Sequence, residues 1–329
     1  MITRRLFTAS ATGLALGGTR LMSIPLAQAD GTTVRILVGF PAGGTTDAIA
    51  RLLAEAMKDY GASRMVENRP GAVSRVAIDA LKTAPPDGSV LLLAPLGTMT
   101  LSPHVYKDLR YNPFQDFIPV STIGAVQLVL TVSPKVVPDD VKTLADFIAW
   151  CRANPARATY GSPGAGSPYH FTGVQLARAA GFEYKHIPYV GAPRAVQDLL
   201  GGQIASSILP IDSTLPYVLS GSVRALATTG PRRNSSLREV PTIREAGYPA
   251  LEAVDWYGVF VPAKMPSGDV AKLNGSIQSA LGKDDVRAGL TKLSVEIEAM
   301  SPDAFAKLMR SEFDRWGSVV QASGFTPTD

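Results

Sequence analysis

Short apolar runs alternate with amphipathic stretches along most of the chain, and this alternation limits the possible folds more than any other feature. Strands are predicted at 34–38, 65–67, 90–94, 128–132, 184–190, 204–209, 223–228 and 256–261. Helices are predicted at 49–57, 75–81, 141–153, 194–200, 269–281, 284–293 and 303–322. Repeated strand–loop–helix units build parallel sheets with helices on both faces, so the sequence predicts an α/β protein. In such sheets ligands bind beyond the carboxyl ends of the strands.

The composition excludes several other classes. A length of 329 residues allows one or two domains. The net charge of +4 is too small to indicate a nucleic-acid-binding surface, and the longest apolar run, 90–96, is far too short for a membrane helix. The single cysteine, Cys151, rules out an intramolecular disulfide, and its place on the apolar face of a predicted helix indicates a core residue.

The first 29 residues have the pattern of an export signal. They contain Arg4, Arg5 and Arg20 and no acidic residue, and a moderately apolar stretch at 6–18 is followed by an A-x-A cleavage pattern that ends at Ala29. The paired arginines resemble a twin-arginine signal, although an ordinary secretory signal with two adjacent arginines fits as well. Either interpretation predicts an exported protein that is cleaved after Ala29.

Three loops share one design, in which a strand runs into a glycine-rich turn and then a helix N-terminus. They lie at 40–47, 161–170 and 189–194, and Ser167 followed by Pro168 is a strong helix-start signal in the second loop. Thr45 or Thr46 is the expected N-cap after the first loop. The free N–H groups and the dipole at a helix start favour an anion. A carboxylate is favoured over a nucleotide, because neither glycine-rich phosphate-binding motif is present.

Motifs for catalysis and metal binding are absent from the sequence. Ser162 has Tyr160 where a G-x-S-x-G elbow needs glycine, and no H-E-x-x-H pattern occurs. We therefore predict no enzyme activity, no metal and no cofactor. His170 either binds a carboxylate or donates to a nearby carbonyl, and Trp256 and Tyr257 either stack on a ligand or belong to the core.

Several stretches, taken in order, resemble the Bug family, the extracytoplasmic solute receptors of tripartite tricarboxylate transporters. They are 40–47 (FPAGGTTD), 66–72 (VENRPGA), 86–88 (PDG), 160–162 (YGS) with His170, 186–189 (HIPY), 199–203 (LLGGQ), 240–242 (VPT), 245–247 (EAG) and 315–316 (RW). The resemblance covers nearly the whole chain after the signal. The combination of these stretches is specific, whereas no single stretch is.

The resemblance implies a two-lobed type II periplasmic-binding-protein fold, in which each lobe is a mixed, mostly parallel sheet flanked by helices. Lobe 1 is expected at 30–131 plus 255–329 and lobe 2 at 132–254, with the ligand cleft between them. The implied protein is a periplasmic monomer that captures a small organic carboxylate by lobe closure and delivers it to membrane permease subunits. A receptor that docks on a membrane signalling partner, or an enzyme acting on a carboxylate, remains an alternative.

The resemblance also assigns ligand-binding residues by position. They are Phe40, Ala42, Gly43, Gly44, Thr45 and Asp47 on one side, Ser162, Ala165, Gly166, Ser167 and His170 on the other, Val190, Gly191 and Ala192 nearby, and Gly97 and Thr98 at the edge.

Two departures from the family pattern bear on the ligand. Arg75 stands where the family tends to carry small or amide residues, and it either binds a second carboxylate or points to solvent. Ala205 and Leu209 stand where the family usually carries acids. The missing acid at Leu209 favours an apolar ligand, aromatic or aliphatic, over an amino acid.

Overall fold

The structure is a computed structural model, and it describes residues 33–71 and 74–326. The predicted signal peptide and its cleavage site lie outside the described residues. Within the described ranges, no helix has both the length and the apolar character needed to cross a bilayer.

The described elements follow the predicted alternation closely. The strands are β1 (Thr33–Val38), β2 (Ser63–Asn68), β3 (Val90–Pro95), β4 (Phe117–Val132), β5 (Thr159–Ser162), β6 (Lys185–Pro188), β7 (Ser206–Pro210), β8 (Arg224–Thr228), β9 (Val254–Pro262) and β10 (Val295–Ile297). The helices are α1 (Thr45–Ala56), α2 (Arg75–Lys82), α3 (Gly97–Thr100), α4 (Ser102–Val105), α5 (Leu144–Ala153), α6 (Pro168–Ala180), α7 (Ala192–Gly201), α8 (Ile211–Leu219), α9 (Ser267–Leu281), α10 (Asp284–Lys292) and α11 (Pro302–Ser323).

The strands form two mixed sheet regions that share the long strand β4. In the first region β2, β1 and β3 are parallel, and β9 is antiparallel to both β3 and β4. In the second, β5 lies parallel to β6 and β7, while β4 pairs antiparallel with β7 and β8. Strand β4 pairs with β9 as far as Gln127 and with β7 from Leu128 onward. We call these two regions, with the helices packed on them, the first and second lobes.

Each lobe has an apolar core of its own. In the first lobe, side chains of β1, β3 and β9 pack against α1, α9 and α10. In the second lobe, side chains of β4, β5 and β7 pack against α5 and α6, and Cys151 lies in this core, as predicted. The predicted lobe boundary after residue 131 falls inside β4, on the C-terminal side of Leu128 where the strand changes partner. The division at 131/132 and 254/255 stays a prediction.

Strand β4 begins well before the predicted strand 128–132. The prediction missed its first part because that part pairs irregularly with β9. The pairing with β9 shifts register on both sides of Thr122, ahead of Gly124. Gly124 has φ +154, and a Cβ there would lie 2.2 Å from the carbonyl oxygen of Glu296. Only glycine fits this close approach of β10. Because glycine and proline are uncommon inside strands, Gly124 and Pro119 do not indicate a strand in the sequence.

Other local predictions fared differently. Ser167 is the N-cap of α6, accepts from the His170 N–H and is followed by Pro168 as the first helical residue, as predicted. The predicted cap of α1 was wrong, since Gly44 occupies that position and Thr45 and Thr46 lie inside the helix. Gly97 and Thr98, which the resemblance places at the edge of the ligand site, belong to the short helix α3.

Candidate functional site

A cleft of about 680 Å3, including its opening to solvent, lies between the two lobes. The first turns of three helices, α1, α6 and α7, face it. Its described lining consists of Phe40, Pro41, Gly44, Thr45, Thr46, Pro95, Gly97, Thr98, Ser102, Pro163, Gly164, Gly166, Ser167, Pro168, Tyr169, Gly191, Ala192, Pro193, Pro210, Asp255 and Tyr257.

The loop before α1 is held by a buried carboxylate, Asp47. Its Oδ2 accepts from the Gly43 N–H at 3.0 Å and from Arg51 Nε at 2.9 Å, and its Oδ1 accepts from Asn68 Nδ2 at 2.9 Å. Burial alone would raise the pKa of Asp47, but the hydrogen bonds from Arg51, Gly43 and Asn68 outweigh it and lower the pKa below its ordinary value. Asp47 is therefore ionised at neutral pH, and it shapes the loop from behind the lining.

The loop before α6 is held by its own side chains. Ser162 Oγ donates to the Gly164 carbonyl at 3.0 Å and lies 2.7 Å from His186 Nε2, while Ser167 Oγ donates to the same carbonyl at 2.7 Å. The Gly166 N–H donates to His170 Nδ1 at 3.1 Å. Burial lowers the pKa of His170 to about 4, so its ring is neutral at physiological pH. The His170 ring thus accepts from the loop backbone, a role that differs from both sequence alternatives.

The loop before α7 touches the other two loops. The Gly191 N–H donates to the Pro163 carbonyl at 3.0 Å. Gly191 has φ +87, and a Cβ there would lie 3.5 Å from Pro41 Cδ in the first loop. The three loops therefore form one continuous rim around the cleft.

The inner wall of the cleft carries a carboxyl group, Asp255, at the start of β9. Tyr169 of α6 donates its hydroxyl to Asp255 Oδ2 at 2.8 Å, which links the two lobes. Asp255 is only 2% exposed. Burial raises its pKa to about 7, against the opposing effect of hydrogen bonds from Tyr169 and Tyr257. Among the described lining residues, Asp255 is the only Asp, Glu, Lys or Arg.

A second hydroxyl–carboxyl contact joins the lobes at the edge of the cleft. Thr45 Oγ1 of α1 lies 2.9 and 3.1 Å from the two carboxyl oxygens of Asp212, in the first turn of α8. Desolvation raises the pKa of Asp212 to about 7, although hydrogen bonds from Thr45 and the helix backbone lower it in part. Thr45 and Asp212 thus form a second contact between the lobes, of the same kind as that between Tyr169 and Asp255.

The predicted site residues divide into two groups in the structure. Those that line the cleft are Phe40, Gly44, Thr45, Gly97, Thr98, Gly166, Ser167, Gly191 and Ala192. Those that do not are Ala42, Gly43, Asp47, Arg75, Ser162, Ala165, His170, Val190 and Leu209. In the second group Gly43, Asp47, Ser162 and His170 take part in the loop hydrogen bonds described above.

Arg75 and Leu209 are the important differences, since both carried an interpretation of the ligand. The Arg75 guanidinium lies over the Tyr106 ring, 4.3 Å from its centroid, and Arg75 is not part of the described lining; both sequence alternatives for Arg75 stay predictions. Leu209 is fully buried and packs against Ala192, Ala195 and Val196 beneath α7. The acid that the family pattern would place at this position is therefore no guide to the cleft of this chain.

Sequence reasoning missed Asp212 and the role of Asp255. Asp212 lies in α8, a helix that was not predicted because it is short and contains Pro216. Asp255 directly precedes Trp256 and Tyr257, which were predicted either to stack on a ligand or to belong to the core. No sequence motif indicates a role for Asp255 itself. Tyr257 is buried and also lines the cleft. Within residues 33–71 and 74–326, no three His, Cys, Asp or Glu side chains cluster as metal ligands would.

Comparison with known proteins identifies the class and then the family. The protein Rpa4515 of R. palustris, whose structure holds adipate, superposes with a TM-score of 0.85 at 30% identity, covering 90% of this chain and 99% of that one. MatC from Rhodopseudomonas palustris, with bound malate, gives a TM-score of 0.79 at 29% identity, covering 88% and 99%. The chain therefore has the two-lobed periplasmic-binding-protein fold, as predicted.

The family follows from the sequence comparisons. The profile described as "Tripartite tricarboxylate transporter family receptor" (TctC) matches residues 49–325. BugT of Bordetella pertussis is 33% identical over 297 residues, which span 88% of this chain and 89% of BugT. The chain belongs to the tripartite tricarboxylate transporter receptor family, which confirms the resemblance seen in the sequence.

Proposed function

We propose that this protein is an exported periplasmic receptor that binds a small organic carboxylate between its lobes and delivers it to a membrane permease. The family membership supports this proposal, as do the related structures that hold adipate and malate. The observation that carries it is the convergence of three helix N-termini on one cleft. We propose binding without chemical conversion of the ligand, by a monomer.

Backbone groups are the proposed anion ligands. The first N–H groups of a helix have no partner within that helix, and they point outward from its positive end. Such groups belong to the lining residues Thr45 and Thr46 in α1, Tyr169 in α6 and Ala192 in α7. The hydroxyls of Thr98 and Ser167 lie in the same lining. We propose that the carboxylate is held by these groups, since the described lining contains no Lys or Arg.

The energy of such a site is sufficient for a transport receptor. A hydrogen bond to a charged group contributes roughly 1.5–3 kcal/mol. About four of them, less the cost of ordering the ligand and the lobes, reach the roughly −8 kcal/mol of a micromolar site. Closure of the lobes removes water, which strengthens each of these bonds.

A thermal-shift screen tests the proposal. The purified protein, unfolded and refolded to remove bound ligand, is screened against mono-, di- and tricarboxylates, aromatic acids and acidic amino acids. The neutral amide of each acid serves as the matched control. A ligand at about 100 times its Kd adds roughly 2.7 kcal/mol, which moves the Tm by several degrees.

We expect a shift with one class of acid and none with the corresponding amides. Folded protein that shifts with no acid, or equally with acids and amides, contradicts the proposal. Incubation with the identified acid should return it unchanged. Loss of uptake of that acid on deletion of the permease subunits would support the proposed delivery step.

A further inference from the structure

The inner wall of the cleft combines a buried acid with two phenol groups. Asp255 lines the cleft and accepts from the Tyr169 hydroxyl at 2.8 Å. Tyr257 lines the same cleft, and its phenol opposes the rise in the pKa of this carboxyl. An ionised carboxylate has about four acceptor positions, so two phenols leave capacity for a donor from the ligand.

The described lining of the cleft gives Asp255 no positively charged partner. The side chains that influence its titration are Tyr169 of α6, Tyr257 of β9 and Glu312 of α11, and the charge of Glu312 is offset by an ion pair with Arg315 at 3.0 Å. Pro95, Pro210 and Gly97 are among the uncharged residues that line the same cleft. An ionised Asp255 therefore has hydrogen bonds but no cationic partner in the described lining, and such a group favours a donor or a cation.

We propose that Asp255 makes the cleft selective for an organic acid that also carries an O–H or N–H donor, a hydroxyl or an ammonium group, which binds to this carboxyl. This inference rests on the proposed function, because it assumes that the carboxylate of the ligand binds at the helix N-termini. It reverses the ligand preference drawn from Leu209, since Leu209 does not line the cleft whereas Asp255 of β9 does.

Three ligand types are distinguished by the group they present to Asp255. A hydroxyl or ammonium group completes the hydrogen bonding of the carboxylate. A methyl group instead excludes water from it and leaves it underbonded. Where Asp255 is ionised, a second carboxylate places two like charges together without a cation between them. Sites built to bind a polar group reject analogues that lack it far more strongly than apolar sites reject an extra methylene.

Isothermal titration calorimetry with matched ligands tests this selectivity. The scaffolds are butyrate, hexanoate and benzoate, each used as the parent acid, its terminal hydroxy derivative, its terminal amino or aminomethyl derivative, and the corresponding dicarboxylate. The proteins are the wild type, Asp255→Asn, which keeps an acceptor for Tyr169, and Asp108→Asn, the same change at an exposed position of the first lobe.

On at least one scaffold we expect the wild type to bind a hydroxy or amino derivative about tenfold or more tightly than both the parent acid and the dicarboxylate. Asp255→Asn should reduce this preference by about tenfold. Asp108→Asn should behave as the wild type does. A parent acid or a dicarboxylate as the tightest ligand, or a preference that survives in Asp255→Asn, overturns the inference while the proposed function stands. No binding by any acid overturns the proposed function and the inference with it.

A second measurement needs no variant and covers the case in which Asp255→Asn does not fold. The preference of the wild type for the amino derivative over the parent acid is measured between about pH 6 and pH 8.5, a range in which both ligands keep their own charges. The pKa of Asp255 is raised to about 7, so the carboxyl ionises across this range. We expect the preference for the amino derivative to grow as the pH rises, and a constant preference contradicts the inference.

Discussion

Replacement of Asp47 by alanine tests how the first loop of the cleft is held. The carboxylate accepts from the Gly43 N–H, from Asn68 and from Arg51, and it does not line the cleft itself. Its removal leaves three donors without their acceptor. Any effect on ligand binding must therefore act through the loop that carries Gly44 and Thr45.

The magnitude follows from the exposure of each donor. Hydrogen bonds to a charged group contribute roughly 1.5–3 kcal/mol each when buried. Arg51 is 56% exposed and Gly43 is exposed, so water replaces much of what those two donors lose. We expect Asp47→Ala to lower the free energy of unfolding by about 2–4 kcal/mol. Ligand affinity should fall about tenfold, since re-ordering even one loop residue costs roughly 1–2 kcal/mol.

The assays are urea unfolding and calorimetric titration with the acid found in the screen. The folded-state pKa of Asp47 lies below its ordinary value, so its stabilising contribution is present above the unfolded pKa near ~3.9 and is lost as the pH falls through the folded pKa. The difference in stability between wild type and variant should therefore shrink in acid. Arg51→Gln is the matched control and should lower the free energy of unfolding much less, because the Arg51 side chain is mostly exposed. An alanine variant with unchanged unfolding midpoint and unchanged affinity would refute the reasoning.

Three further substitutions test the rim and the contact between the lobes. Gly166→Val should abolish ligand binding, because Gly166 has φ +69 and a Cβ there would lie 2.9 Å from Val105 Cγ2. Calorimetry on a variant shown to be folded checks this, and a normal affinity would exclude the loop before α6 from the site. Thr45→Val should lower ligand affinity by up to about tenfold, since it removes the hydroxyl that donates to Asp212 across the cleft; an unchanged Kd would show that this bond does not favour closure. Asp212→Asn should raise the Tm more at about pH 8 than at about pH 5, because the wild-type protein loses stability as the pH rises from the unfolded pKa of Asp212 to its folded pKa of about 7, whereas the variant does not. Equal gains in Tm at both pH values would contradict this.

The parts of the cleft that could be predicted from the sequence are those with local causes. A glycine turn followed by a helix start is written in consecutive residues, so the three loops and the Ser167 cap were found. Gly44, Gly166 and Gly191 all line the cleft, because each lies in a glycine turn that precedes a helix start. The order of strands and helices likewise follows from short apolar periodicities.

The parts that could not be predicted depend on contacts between distant segments. Thr45 and Asp212 are 167 positions apart, and Tyr169 and Asp255 are 86 apart, so no spacing rule joins either pair. The positions of Arg75 and Leu209 depended on how their elements turn relative to the cleft, which the family pattern did not determine. A buried leucine and a guanidinium packed on Tyr106 have the same sequence signature as two residues that face a ligand.

The two hydroxyl–carboxyl contacts between the lobes, Thr45 with Asp212 and Tyr169 with Asp255, also bear on which ligand the cleft selects. Each joins a neutral hydroxyl on one lobe to a carboxyl on the other, and both carboxyls have a pKa raised to about 7. The described lining offers an anion helix dipoles and hydroxyls but no side-chain cation, and Asp255 adds a negative charge to this lining as the pH rises above its pKa of about 7. An acid with several carboxylates would meet that charge with little to offset it, whereas a single carboxylate accompanied by a donor satisfies both ends of the cleft. We therefore expect this cleft to bind a small, singly charged acid or a zwitterion more tightly than a tricarboxylate, even though the family takes its name from tricarboxylate transport.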